Sequence, residues 1–226
     1  MLILAATPIG NFDDASFRLV QELKSADIIA AEDTRNSFKL LKHLKIDPPK
    51  MISLHDYNEA SRLEILLTEL KNNKKIVVVS DAGTPLINDP GYKIAQLAIN
   101  SNIEVTALPG PCAPINALVL SGLPVHRFCF EGFLPPKSGS RIHALERLQD
   151  ETRTMIFLES KHRIVKTIAD MSTVFGTNRP AAICRELTKS YEQIHRGTLG
   201  ELTELTASKE LKGEMCVVVA GADFHT

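Results

Sequence analysis

Two carboxylates stand side by side in AEDTR (31–35), with an arginine two positions on. Glu32 or Asp33 could accept a proton from a reacting group, and Arg35 could orient a carboxylate or touch a phosphate. The same residues have a plainer use. Asp33 or Thr34 could cap a following helix, and Arg35 could neutralise the acids. His55, in SLHDYNE (53–59), is a further candidate base or an ordinary structural histidine. SDAGTP (80–85) carries one acid and no lysine. Its residue types suit a ligand that offers hydroxyls, an amine or a cation better than one that offers several phosphates. The phosphate fingerprints GxGxxG and GxxxxGK[ST] are absent. So are a nucleophile elbow, a Ser-His-Asp order and metal-ligand spacing, which argues against covalent hydrolysis and zinc chemistry. Further along, FLESKHR (157–163) and CRELTKSYE (184–192) bring together Glu159, Arg163, Arg185, Glu186, Lys189 and Glu192. These either form buried ion pairs or line the substrate side of a cleft, and spacing does not separate the two.

The elements that must hold these residues alternate in type. Strands are expected over 2–6, 27–31, 50–54, 75–80, 103–107, 127–132, 153–158, 180–184 and 215–220. Helices are expected over 14–25, 34–45, 58–72, 91–101, 113–121, 140–150, 161–171 and 199–208. Leu63, Leu66, Leu67 and Leu70 recur at i, i+3, i+4 and i+7, one face of an amphipathic helix. Such alternation predicts an α/β fold with largely parallel sheets. TPIGN (7–11), AEDTR, SDAGTP and PGPCA (109–113) then each follow a strand. In a parallel sheet all four loops lie on one edge, where α/β proteins bind ligands. The apolar segment LPGPCAPINALVLSGLP (108–124) marks a domain boundary, expected between residues 112 and 113.

With 226 residues and a net charge of −1, the chain suits one large or two small domains and does not advertise nucleic-acid binding. Residues 1–136 hold 13 basic against 15 acidic side chains, and residues 137–226 hold 13 against 12. A mild basic patch runs from Lys137 to Lys166. A solvated helix face explains it about as well as a phosphate-tracking surface does. No apolar run is long enough to span a membrane. MLILAATPIG lacks a basic leader and reads as a first buried strand. Cys112, Cys129, Cys184 and Cys216 have no CxxC spacing and read as reduced thiols of a cytoplasmic protein.

Eight motifs in order carry a resemblance. They are TPIGNFDD, ADIIAAEDTR, VVVSDAGTPLINDPGY, LPGPCAPINAL, SGLP…RFCFEGFLPPKSGSR, TMIFLESKHR, CRELTKSYEQIHRGTLGEL and KGEMCVVVAG. Over residues 2–220 the chain resembles the 16S ribosomal RNA 2′-O-ribose cytidine methyltransferases of the tetrapyrrole (corrin/porphyrin) methylase superfamily. Its first turn, ATPIGN, departs from the GxGPGD-like turn of the tetrapyrrole enzymes and fits the ribosomal RNA branch, as AEDTR does. Many relatives continue past the point matching Thr226 with a small helical segment, so any RNA contacts made there fall outside this sequence.

The resemblance implies two α/β domains, 1–112 and 113–226, with S-adenosylmethionine in the cleft between them, and a homodimer. It carries cofactor contacts onto Thr7, Pro8, Asp81, Ala82, Gly83, Thr84, Ile87, Cys112, Ala113, Leu158 and Leu187. Glu32 aligns with an acidic position proposed as base in tetrapyrrole relatives, with Asp33 and His55 next. No metal is required. RNA is expected to cross the cleft mouth near Lys137, Arg141 and Arg163, with Arg185 and Lys189 on the substrate side. The substrate is expected to be the assembled small subunit, because a near-neutral protein binds bare RNA weakly. The rival readings are a tetrapyrrole C-methylase of the same fold and a non-catalytic cofactor-binding regulator.

Overall fold

A computed structural model describes residues 1–55 and 58–224; Asp56 and Tyr57 of SLHDYNE lie outside the described residues. The chain divides into two compact units, Met1–Cys112 and Ala113–Thr226.

The first unit is built on five strands, β1 (Leu2–Ala5), β2 (Ile28–Ala31), β3 (Lys50–Ser53), β4 (Ile76–Val79) and β5 (Val105–Leu108). All are parallel, in the order β3-β2-β4-β1-β5. LILA, IIAA and IVVV are apolar at every position because both faces of the sheet are covered. Leu2, Ile28, Ala30, Ile76 and Val78 pack on the side of helices α3 (Glu59–Lys71) and α4 (Tyr92–Asn100). Ile3, Ala5, Ile29, Ala31, Val77 and Val79 pack on the side of α1 (Phe17–Ser25) and α2 (Thr34–His43). Burying each large side chain stabilises by roughly 1.5–3 kcal/mol, which offsets the entropy of ordering the strands. Leu2 is in register with both Ile76 and Val105. The carboxyl ends of the strands therefore share one edge, and the loops containing TPIGN, AEDTR, SLHDYNE, SDAGTP and PGPCA all leave from it.

The second unit departs from the parallel expectation. Its sheet runs β6 (Phe128–Phe133), β7 (Thr154–Ser160), β10 (Glu214–Val219), β8 (Pro180–Arg185), β9 (Gln193–Thr198). Only β6 and β7 are parallel, and the other three pairings are antiparallel. The cause is β9, which the sequence reading did not find. QIHRGT has one aliphatic side chain and lies on the sheet edge, so it carries no apolar period. It returns the chain from β8 as a hairpin, and β10 then enters between β8 and β7. Helices α6 (Ser138–Glu146), α7 (Ile164–Phe175) and α8 (Leu199–Ser208) bury Leu145, Ile168, Met171 and Leu202 against Phe157, Ile183 and Val217. α5 (Ala113–Ser121) packs on the sheet's other face, where the Cys184 thiol donates to the Ala117 carbonyl at 3.6 Å. Burial pushes the Cys184 and Cys129 thiols up to about 12, so both stay protonated. No helix among the described residues is long and apolar enough to cross a membrane.

Candidate functional site

The five strand-end loops of the first unit are tied into one assembly. Thr7 and Gly83 exchange two backbone hydrogen bonds, 2.8 and 3.0 Å. The Thr7 hydroxyl donates to the Ser80 carbonyl at 3.3 Å, and the Thr84 hydroxyl to the Pro111 carbonyl at 3.1 Å. The loops after β1, β4 and β5 are thus stitched together. Asp81 joins the loop after β2: its Oδ1 accepts from the Asp33 amide at 3.0 Å and its Oδ2 from Asn36 Nδ2 at 2.9 Å. In return the Asp81 amide donates to Glu32 Oε2 at 3.4 Å. The fifth loop, after β3, is closed by Asn58, whose side chain accepts from the His55 amide and donates to the Ser53 carbonyl. The next residue, Glu59, is 5% exposed; it accepts from the Gly91 amide at 3.3 Å and pairs with Lys93 at 2.9 Å. It thereby fixes the far end of SDAGTPLINDPG against the start of α3.

Glycine is demanded at two of these positions. Gly83 has φ +85°, and a Cβ there would meet Ile9 Cγ2 at 3.3 Å. A Cβ on Gly110 would stand 2.9 Å from that of Ala6, so only glycine lets the β5 loop lie against the β1 loop. Between Gly83 and Gly91, Leu86 and Asn88 also hold positive φ, 72° and 64°. Such conformations persist only where their surroundings fix them, and they concentrate at ligand-holding loops.

The charge on this edge is acidic. Asp33 caps α2, accepting from the Arg35 amide at 2.9 Å, and its carboxylate is also gripped by the Arg35 guanidinium, with the shortest contact 2.6 Å. That grip holds the Asp33 carboxyl down to about 2. Asp33 thus serves as the α2 cap with a carboxylate that is a weak base at neutral pH, and the exposed Arg35 pairs with it. Glu32, half-buried at the end of β2, faces Asp81 across the loop junction. Asp81 is held by two donors, yet each of its oxygens keeps a second lone pair. Pro8 is buried, Ala82 and Ile87 are exposed, and Cys112 is half-buried at the end of the β5 loop.

In the second unit, Ala113 opens α5. Leu158 is half-buried on β7, and Leu187 is buried in a turn whose neighbours Glu186 and Thr188 both have positive φ, 51° and 64°. Of the four cations expected to face substrate here, Arg141 is buried, while Arg163, Arg185 and Lys189 are part-exposed and already hold protein partners. Arg141 is 2% exposed; it pairs with Asp170 at 2.6 Å and donates to the Pro136 carbonyl at 3.1 Å. Arg163 pairs with the buried Glu159 at 2.9 Å, donates to the Leu134 carbonyl and lies over the Phe133 ring. Arg185 donates to the Lys212 carbonyl and to Gln193, and Lys189 pairs with Glu186 and Glu214. A long stem near an apolar core lets a guanidinium satisfy carbonyls and acids from inside. Of the five, Lys137 alone is exposed with no such commitment. Sequence reasoning also missed Asn36, Asn58 and Glu59. Their signal was available, as each is a polar residue within the first turn or cap of a helix that leaves this edge.

The profile of the tetrapyrrole (corrin/porphyrin) methylases matches residues 1–203. The chain belongs to that family. Among curated relatives, this methylase is 46% identical over 222 residues to ribosomal RNA small subunit methyltransferase I of Escherichia coli O157:H7, covering 97% of this chain and 77% of the relative. It is 48% identical over 225 residues to the enzyme of that name from Mycobacterium tuberculosis strain H37Rv, covering 99% and 79%. Solved structures share the fold at low identity. The methyltransferase CobJ matches with TM-score 0.71 at 18% identity, over 100% of this chain and 95% of that one. A Thermus thermophilus uroporphyrin-III C-methyl transferase complexed with S-adenyl homocysteine gives 0.66 at 16%, over 98% and 97%. Methylases of this family are thus the frame in which the loop edge is read.

Proposed function

We propose that this chain is an S-adenosylmethionine-dependent methyltransferase acting on RNA of the small ribosomal subunit, with the ribose 2′-oxygen of a cytidine in 16S RNA as acceptor. The observation that carries the reading is the 46–48% identity, over nearly the whole chain, to relatives named for that activity. The first turn ATPIGN and the AEDTR loop support it over a tetrapyrrole C-methylase, whose solved examples share the fold at 16–18% identity only. The same relatives support it over a regulator without catalysis.

The loop edge fits this cofactor. Its fixed charges are the carboxylates Glu32, Asp33 and Asp81, and its cation Arg35 is already neutralised. That set of negatively charged acceptors suits a sulfonium, an amine and hydroxyls. Gly83 lets the loop after β4 pack against Ile9 and the Pro111 carbonyl, which fixes the exposed Asp81 and Ala82 beside it. We assign Thr7, Pro8, Asp81, Ala82, Gly83, Thr84, Ile87 and Cys112 to the cofactor. The bound cofactor supplies an electrophilic methyl on a good leaving group. The chain's own task is to align the acceptor oxygen with it and to take the acceptor's proton. A ribose hydroxyl keeps its proton at neutral pH, so a nearby carboxylate is useful. Glu32 is the better placed acid, since Asp33 is spent on Arg35. His55 leaves the same edge after β3 and is the second candidate. The resemblance further supports a homodimer working in the cytoplasm on the assembled subunit.

Two measurements test this reading. At saturating cofactor, Glu32→Gln should lower turnover by about 100-fold, the scale of a positioned base; a loss under about threefold removes Glu32 from the role and passes it to His55. Methyl transfer to small-subunit particles should exceed transfer to the naked RNA, and the reverse order would contradict recognition of the assembled particle.

A further inference from the structure

Arg141 is buried, and Arg163, Arg185 and Lys189 already bond acids, carbonyls or an amide in the second unit, so a freer cationic surface is the better candidate for the RNA path. α2 offers a surface of the required kind. Residues 34–46, TRNSFKLLKHLKI, hold Arg35, Lys39, Lys42 and Lys45 and no acid, in a chain whose net charge is −1. Arg35, Phe38, Lys39 and Lys42 fall at i, i+3, i+4 and i+7, so they form one stripe along the helix; Lys45 follows just past the helix end at φ 55° and lines the same groove as Phe38 and Lys42. All five are exposed, Phe38 by 50%. Lys39 donates to the neutral Asn36 Oδ1 at 3.0 Å, and its charge also acts on the nearby Asp33 carboxylate. Beside the stripe lies a groove of about 400 Å³ lined by Phe38, Lys42, Lys45, Ile46, Asp47 and Pro48. Its walls are a ring, a proline and an isoleucine, and its rim carries two ammonium groups. Asp47 on the rim offers an acceptor to an exocyclic amine.

We propose that this stripe is the track for single-stranded RNA next to the methylated nucleotide: a base stacks on Phe38 in the groove, and the flanking phosphates lie against Lys39, Lys42 and Lys45. An exposed aromatic set among unpaired cations is the usual platform for unpaired nucleic acid, since each base has a stacking face and each phosphate a charge. The placement fits the chemistry. α2 begins at the residue after Asp33, so its amino end abuts Glu32 and Asp81, while Lys42 lies about 12 Å along the axis at 1.5 Å per residue. A nucleotide at the loop edge and a neighbour in the groove are thus within reach of one strand. The proposal rests on the RNA reading given above and says where that RNA runs.

The test uses the full chain with a fluorescein-labelled single-stranded RNA of the 16S sequence around the modified cytidine, and small-subunit particles for turnover. Phe38→Ala should weaken RNA binding about tenfold, the lower part of the range for one stacked base. Lys42→Ala with Lys45→Ala should reduce the slope of log affinity against log salt by about 1.4, at roughly 0.7 per phosphate contact on a single strand. In both variants KM for the particle rises, while kcat and cofactor affinity stay at wild-type values. Lys39→Ala serves as a milder second variant should Phe38→Ala unfold, and Lys137→Ala is the contrast on the other unit. If the wild type methylates RNA and the α2 variants keep its KM and salt slope, the track is wrong although the RNA reading stands. If the wild type transfers no methyl to RNA, the underlying reading itself fails.

Discussion

Replacing Gly83 by alanine tests the cofactor loop most sharply, because two separate features of the structure oppose a side chain there. The residue sits at φ +85°, where an L-residue costs about 1–2 kcal/mol. Alanine recovers about 0.4–1 kcal/mol by restricting the unfolded chain, so the backbone effect alone nets roughly 1 kcal/mol. The new Cβ would also stand 3.3 Å from Ile9 Cγ2, so the side chain or the loop must give by a few tenths of an ångström. If the loop gives, the paired Thr7–Gly83 hydrogen bonds lengthen, at about 1 kcal/mol each. Total destabilisation should then be about 1–3 kcal/mol, or roughly 2–12 °C in melting temperature for a chain of this size. Cofactor affinity should fall at least about tenfold, since 1.4 kcal/mol of misplacement is enough for that. Titration calorimetry with S-adenosylmethionine and a thermal melt measure the two effects. Gly139→Ala, on α6 with open space around it, is the control: it should leave cofactor affinity unchanged and raise stability by up to about 1 kcal/mol. Wild-type cofactor affinity in Gly83→Ala would refute the placement of the site at this loop.

Other consequences concern charges whose roles the structure fixes. The Asp33 carboxyl titrates at about 2 against an ordinary 3.8, so its pairing stabilises above pH 4 and is lost as pH falls through 2. Arg35→Ala should return the Asp33 titration, followed by carboxyl NMR, towards 3.8; an unmoved titration would show that the arginine is not the cause. Arg141→Ala removes the buried guanidinium and leaves the part-buried Asp170 without a counter-charge, though still bonded by the Ser138 hydroxyl, and should destabilise by about 3 kcal/mol in urea denaturation while leaving the salt dependence of RNA binding unchanged. A loss of RNA affinity with full stability would restore Arg141 to the RNA path. Glu59→Ala strands the Gly91 amide at a buried position and should cost about 1–3 kcal/mol, with KM for cofactor raised more than kcat is lowered. Unchanged KM would mean that the far end of SDAGTPLINDPG does not bear on the cofactor.

Much of this was legible because the first unit repeats one simple pattern. LILA, IIAA and IVVV are runs that only a sheet covered on both faces can bury, and each is followed by residues that break a strand. Parallel order then forces the breaks onto one edge, so the cluster of loops followed from the spacing of elements alone. The second unit hid more. β9 is a polar edge strand, and without it the change from parallel to antiparallel pairing has no signature. Charge was the least legible property. FLESKHR and LPPKSGSR look alike to a count of lysines and arginines, yet Arg163 and Arg141 turn inward because Glu159 and Asp170 lie on neighbouring elements. Lys39, Lys42 and Lys45 remain outside because α2 carries no acid that could pair with them at helical spacing. Sequence proximity cannot separate these outcomes when the partner lies about 30 residues away, as it does for Asp170 and Arg141. The pair Asp33 and Arg35 could be read either as chemistry or as a cap, and only the hydrogen bond from the Arg35 amide resolved it.

The central claim is methyl transfer to a ribose oxygen of small-subunit RNA. The direct measurement incubates the protein with methyl-labelled S-adenosylmethionine and small ribosomal subunits that lack the modification, then digests the RNA and locates the label. Label is expected on the 2′-oxygen of a cytidine in 16S RNA, in a linkage that resists alkaline cleavage. Label on a base, or none in RNA together with transfer to a tetrapyrrole carbon, would contradict it.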